Sequence, residues 1–276
     1  MRKAQTILQN TFPETNWTLE KPKDGLRKEC YIAKSSNKYL FIKFDVPVNL
    51  LKRLGEIGVA PRVLFDGNFN GISYVIQEFI DGQYPDRKWI KQNLSKLADL
   101  IKTYHGDQTL KSFLSQKNTT DFTNHIEKNL KEIEEKVYLL KDEELISDFG
   151  KLKEISKKLI STSLVPVHTE PNIKNILVGK NRFVIIDWDE ITLSDPVRDI
   201  GLLLWWYVPK TQWQDFFDSY GMVISEDIKD NIYWWAAKSS LAIALWNLER
   251  GYEYKSFLLD FRAALDKKDN PHATRN

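Results

Sequence analysis

The chain has 276 residues, enough for one large domain or two lobes sharing a cleft. Hydrophobic residues make up 42% and charged residues 28%, the balance of a globular protein rather than of a disordered chain. Lys and Arg total 40 against 38 Asp and Glu, a net charge of +2, which removes the electrostatic case for nucleic acid as the main partner. The single cysteine, Cys30, excludes an intrachain disulfide, and with only 4 histidines no structural zinc site is suggested. Met1-Arg2-Lys3 leads into polar residues rather than the apolar core of a signal peptide. The longest apolar run, Ile200 to Val208, is too short to span a bilayer. The expected setting is the cytoplasm, with no membrane partner.

The first third reads as strands. Cys30 to Ala33 and Tyr39 to Phe44 flank Ser35-Ser36-Asn37, a hairpin signal. Leu50, Leu51, Leu54 and Ile57 share one helical face, with Gly58 at the C-terminal cap position and Pro61 beyond it. Two further strands are expected at Arg62 to Phe65 and Ile72 to Ile76, separated by the turn-rich stretch 66–71. After Asp81-Gly82 the periodicity becomes helical. Leu94, Leu97, Ala98, Ile101, Tyr104 and His105 mark one long amphipathic helix, Ile126 to Leu140 a second, and Leu152 to Leu159 a third. One strand pair interrupts this half, Ile176 to Val178 with Phe183 to Ile186, and tryptophan-rich helix follows. The pattern predicts an α+β fold: a sheet-rich lobe over residues 1–80 and a helical lobe over 81–276, with a ligand cleft at the connector near 77–82.

The stretch His168-Thr169-Glu170-Pro171-Asn172-Ile173-Lys174-Asn175, then Ile186-Asp187-Trp188-Asp189 past the hairpin, concentrates the chemistry. A tight turn at 179–182 sets Asn175 opposite Asp187 to within about a residue. An amide oxygen and a carboxylate on neighbouring strand ends suit a hard cation such as Mg²⁺. Each residue alone reads as a turn Asp or a capping Asn; together, with His168, they are a poor coincidence.

These residues resemble the catalytic loop of the aminoglycoside phosphotransferase and choline kinase family, H-x-D-x-x-x-x-N followed by a strand-end I-D-W segment. The resemblance is strong over 164–201 and diffuse from about 17 to 250. It implies a protein-kinase-like two-lobed fold that moves the γ-phosphate of ATP to a hydroxyl of a small molecule, aminoglycoside-like or choline-like. In that reading Asn175 and Asp187 hold Mg²⁺, and Asp189 touches a second metal. Glu170 orients the acceptor hydroxyl and takes its proton, while His168 and Asp199 (in Pro196-Val197-Arg198-Asp199) support the loop. Lys43 would grip the phosphates, the connector Gln77-Glu78-Phe79-Ile80 would bind adenine, and Lys23-Asp24-Gly25 would cover the phosphates.

Two departures set a second reading beside the first. Glu170 stands where the family has aspartate, and the extra methylene shifts the carboxylate by about one bond. The helix after Lys43 offers only Glu56, facing away, as the lysine's pairing acid, with Asp45 or the phosphates as substitutes. The alternative is a catalytically impaired kinase-like protein that binds nucleotide or a protein partner. Sequence leaves the acceptor, the nucleotide base and the oligomeric state open.

Overall fold

The computed structural model describes residues 1–22, 29–116 and 121–271. The candidate phosphate-covering turn, Lys23-Asp24-Gly25, lies outside them. The chain forms two compact units, residues 1–84 with 174–189, and residues 85–173 with 190–276.

The first unit opens on a helix, α1 (Arg2–Thr11), which the sequence reading did not place. Its signal is the spacing of Ala4, Ile7 and Leu8, which buries one face. Strands β1 (Thr18–Glu20), β2 (Cys30–Lys34) and β3 (Tyr39–Phe44) follow, then helix α2 (Val48–Glu56) and strands β4 (Val63–Phe69), β5 (Ile72–Glu78) and the short β6 (Gly82–Gln83). The first five strands make an antiparallel sheet in the order β1-β2-β3-β5-β4. Strand alternation divides β3: Leu40, Ile42 and Phe44 enter a core with Ala4, Ile7, Leu8, Trp17 and Ile76. Lys43, out of phase with them, is carried on the opposite face. Gly58 ends the turn after α2 at φ +79°, a left-handed conformation that suits glycine, and lets Val59 N–H reach Leu54 O at 3.1 Å. The β4–β5 turn is tighter than the six residues expected. Asn70 (φ +53°) and Gly71 (φ +83°) alone reverse the chain, as a two-residue hairpin turn requires.

In the second unit come α3 (Arg87–Gln92), α4 (Leu94–His105), α5 (Gln108–Ser115), α6 (Phe122–Leu139) and α7 (Glu143–Ser156). Asp107, Asp121 and Asp142 cap α5, α6 and α7 by accepting backbone N–H bonds of 2.8, 2.8 and 3.0 Å, each worth about 1 kcal/mol. Strand β7 (Val165–Val167) leads to the hairpin β8 (Ile176–Gly179) and β9 (Phe183–Ile185), which groups with the first unit and pairs there with β6. Strand β10 (Thr192–Ser194) pairs antiparallel with β7. The sequence reading expected one strand pair in this half and the structure has a second; at three residues each, these strands show no legible alternation. The chain ends in α8 (Pro196–Tyr207), α9 (Trp213–Tyr220), α10 (Glu226–Glu249) and α11 (Lys255–Leu265). Asp195 caps α8 and Pro196 supplies its first residue, the arrangement that starts a helix most cheaply. Helices α8 and α10 approach so closely at Gly201 that a Cβ there would lie 3.3 Å from the Ile232 backbone. Trp205, Trp234 and Trp235 are fully buried, so these tryptophans act as core. Among the described residues no helix is long and apolar enough to cross a membrane.

One buried titratable group gives the second unit a pH signature. His125 on α6 meets the Ser194 hydroxyl through Nε2 at 2.7 Å, with the Asn129 amide at 3.2 Å. Burial, and then the charges of Arg198 and Lys238, lower its pKa from 6.5 to about 4. Between those values the unfolded chain binds a proton that the folded chain refuses, so stability falls as pH falls. The loss grows to roughly 3 kcal/mol by pH 4. Denaturant melts across this window should show His125→Gln losing less stability than the parent; equal pH slopes would contradict the assignment.

Candidate active site

Lys43 sits on β3 with its side chain 13% exposed and makes two acidic contacts. Its Nζ donates to Asp189 Oδ1 at 2.7 Å and stands 3.6 Å from Asp187 Oδ1. This resolves the missing partner: the pairing acid comes from the segment after β9, not from α2. Glu56, at the end of α2, is exposed and turned to Arg53 at 3.3 Å. Pro47 precedes α2, and Asp45 is exposed at φ +54°, its N–H donating to Ser73 O at 2.8 Å.

The hairpin brings Asn175 and Asp187 to neighbouring strand ends. Ile176 pairs with Ile185, and Ile186 N–H donates to Asn175 O at 2.8 Å, so Asp187 is one residue past the position opposite Asn175. Asp187 has φ +63°, a region that costs a non-glycine residue about 1–3 kcal/mol and recurs where a side chain is aimed for use. Its side chain is 53% exposed. Trp188 is buried behind it and donates from Nε1 to Ile185 O at 2.8 Å, fixing the turn that follows the strand.

In the second unit the loop after β7 is held by one carboxylate. Asp199, in the first turn of α8 and fully buried, accepts from His168 N–H at 2.7 Å and Thr169 N–H at 2.8 Å, one on each oxygen. Tyr104 OH adds a third bond at 2.7 Å, and His105 Nε2 lies at 3.3 Å. Burial alone would push the Asp199 carboxyl up, but the hydrogen bond and charge of His105, the charge of His168 and the Tyr104 bond outweigh it and hold its pKa below the ordinary aspartate value. That grip keeps Thr169 at φ +79°, an outlier for a β-branched residue. The next residue is Glu170, exposed, whose N–H donates to His168 Nδ1 at 3.3 Å. His168 itself is buried and braces the loop. His105, placed by its spacing on the amphipathic helix, is buried edge-on against Tyr104 and Tyr220 and also reaches Asp199.

The connector residues fall into two groups. Gln77 and Glu78 lie inside β5, with Gln77 Nε2 donating to Pro61 O at 3.0 Å and Glu78 N–H to Arg62 O at 3.0 Å. Phe79 and Ile80 lie beyond the strand, and the Phe79 ring packs against Tyr39 with centroids 5.6 Å apart. The Glu78 carboxylate accepts from Arg62 N–H at 2.6 Å and pairs with Arg182 on the β8–β9 turn. Burial works to raise the Glu78 pKa, but these donors and the two arginine charges hold it low. Arg182, Tyr104 and the pairing role of Asp189 escaped sequence reading because each acts across a long chain separation and carries no motif.

A small antiparallel sheet with two helices, a hairpin bearing Asn and Asp at its ends, and a helical unit whose buried aspartate braces a His-x-Glu loop define a kinase-like fold. Solved structures agree. Choline kinase LicA from Streptococcus pneumoniae is 18% identical, with 96% of this chain and 97% of that one covered and a TM-score of 0.69; LicA has also been solved in complex with AMP. A choline/ethanolamine kinase family protein from Mesorhizobium loti is 16% identical over 99% of this chain and 96% of its own, with a TM-score of 0.69. The GDP complex of aminoglycoside 2'-phosphotransferase-IIIa is 16% identical, 96% and 98% covered, also at 0.69. The family model described as "Phosphotransferase enzyme family" matches residues 36–227, and the chain belongs to that family.

Proposed function

We propose that this protein is an ATP- and Mg²⁺-dependent phosphotransferase that carries the γ-phosphate to a hydroxyl group of a small molecule in the cytoplasm. Residues 1–80 serve as the nucleotide lobe and 81–276 as the acceptor lobe. The observation that carries the reading is Lys43 drawn to 2.7 Å from Asp189 and 3.6 Å from Asp187, on the strand end where Asn175 emerges. A cation, two carboxylates and an amide oxygen are the parts a nucleotide triphosphate and its metal need. The donor set fits Mg²⁺: it is all oxygen, few in number, and Asp187 is half exposed, which suits an ion that keeps water and phosphate oxygens in its shell. Asn175 and Asp187 would hold the ion, which when bound neutralises charge on the phosphates. Lys43 binds phosphate oxygens, and the main chain at Gln77, Glu78, Phe79 and Ile80 borders the base. Complexes of two structural relatives with AMP and GDP support a nucleotide site.

Glu170 then orients the acceptor hydroxyl. The acceptor oxygen forms a bond to the γ-phosphorus, the bridging bond to the β-phosphate oxygen breaks, ADP leaves, and the hydroxyl proton passes to the Glu170 carboxylate. His168 and Asp199 hold the loop and touch neither reactant. The names of the relatives, choline kinase and aminoglycoside phosphotransferase, make choline and kanamycin the first acceptors to assay.

With ATP and Mg²⁺ the protein should release ADP, faster with an acceptor present, and a chelator should stop it. ADP release that continues unchanged under chelation would remove the metal from the account. A second reading keeps one specific observation: Glu170 replaces the aspartate of the family motif, as a catalytically impaired nucleotide- or partner-binding protein would tolerate. Nucleotide binding without turnover on any acceptor would favour it.

A further inference from the structure

Two carboxylates of the first unit face one lysine, and they are not equivalent. The cross-strand neighbours of Lys43 are Cys30 on β2 and Val75 on β5, and neither brings a carboxylate. With its side chain only 13% exposed, the ammonium needs a standing counter-ion, because an unpaired charge is costly away from water. Asp189 meets that need. Its side chain is 14% exposed, it accepts from Lys43 Nζ at 2.7 Å, and it sits in the single helical turn Trp188–Glu190. The buried Trp188 anchors that turn through its bond to Ile185 O at 2.8 Å. Asp187 is the contrary case: 53% exposed, 3.6 Å from the same nitrogen and held at φ +63°. A Mg²⁺ ion keeps several waters, so it favours the open carboxylate over the enclosed one. If both acids went to metal, Lys43 would lose both of its acidic contacts among the described residues.

We infer that the two acids divide their work: Asp187 is left for the metal, and Asp189 is the resident counter-ion of Lys43 that aims its ammonium at the phosphates. Asp189 is thus a positioning residue and not the ligand of a second ion. It supplies the pairing acid that α2 does not, since Glu56 is turned to Arg53. That acid reaches the lysine from beyond the β8–β9 hairpin, across 146 positions of chain. This rests on the reading of Lys43 as the residue that binds phosphate.

The test is a double-variant cycle of Lys43→Met, Asp189→Asn and the two together, with Asp187→Asn as the contrast. ADP affinity is measured by calorimetry with Mn²⁺ present, and the ions bound per complex are counted from the Mn²⁺ electron paramagnetic resonance signal. Asp189→Asn should weaken ADP binding about 10-fold when Lys43 is present and no further in the Lys43→Met background. Its complex should hold as many ions as the parent's, whereas Asp187→Asn should lose one. An Asp189→Asn complex short of an ion, an Asp187→Asn complex that keeps them all, or an equal loss of affinity with and without Lys43 overturns the inference. A parent that binds no ADP strikes the phosphotransferase reading, and the ion pair is then decided on the free protein. In urea unfolding the double variant should lose less stability than the sum of the two single losses. Additive losses would overturn the pairing of Lys43 with Asp189 whatever the nucleotide does.

Discussion

Asp199→Ala is expected to destabilise the protein by about 3–5 kcal/mol and to release the catalytic loop. The carboxylate has no exposure and accepts from two backbone N–H groups and the Tyr104 hydroxyl, with His105 Nε2 at 3.3 Å. Alanine strands all of these donors in a site that water does not reach, and it removes the force that holds Thr169 at positive φ. Asn in its place keeps the shape and one acceptor oxygen, so its loss should be smaller. Urea unfolding of the three proteins checks the order. An Asp199→Ala midpoint equal to the parent's would show that the network contributes nothing to stability.

The second large effect concerns Glu170. Glu170→Ala should lower phosphate transfer by about 10²–10⁴-fold while leaving nucleotide affinity intact, since a positioned base acts on the acceptor proton and not on ATP. Glu170→Asp tests whether the loop is adapted to the longer side chain. With adaptation, shortening misplaces the carboxylate by about 1 Å and costs about a hundredfold. An aspartate variant faster than the parent would mean that glutamate impairs an ancestral site, and an alanine variant equal to the parent would remove Glu170 from the chemistry.

The parts legible in the sequence were those with local signals. The hairpin β8–β9 declared itself by a turn of the right length, and its register follows from that turn, which is why Asn175 and Asp187 fall within a residue of facing positions. Helix α4 showed its periodicity in full. The partner of Lys43 did not show, because 146 positions separate it from Asp189 and only the folded sheet brings them together. Helix α1 was hidden by a polar composition that resembles a loop, although three apolar residues sufficed to dock it. Strands β7 and β10 are too short to alternate visibly.

The most direct test of the central claim is thermal stability with ATP, with and without Mg²⁺, in the parent and in Asp187→Ala. At a hundred times its dissociation constant, the nucleotide should add about 2.7 kcal/mol to the parent. That gain should require Mg²⁺ and vanish in Asp187→Ala, whose half-exposed carboxylate should change stability little when removed without ligand. No stabilisation of the parent at millimolar Mg²⁺–ATP, or an equal gain in Asp187→Ala, would contradict a nucleotide–metal site built on this strand end.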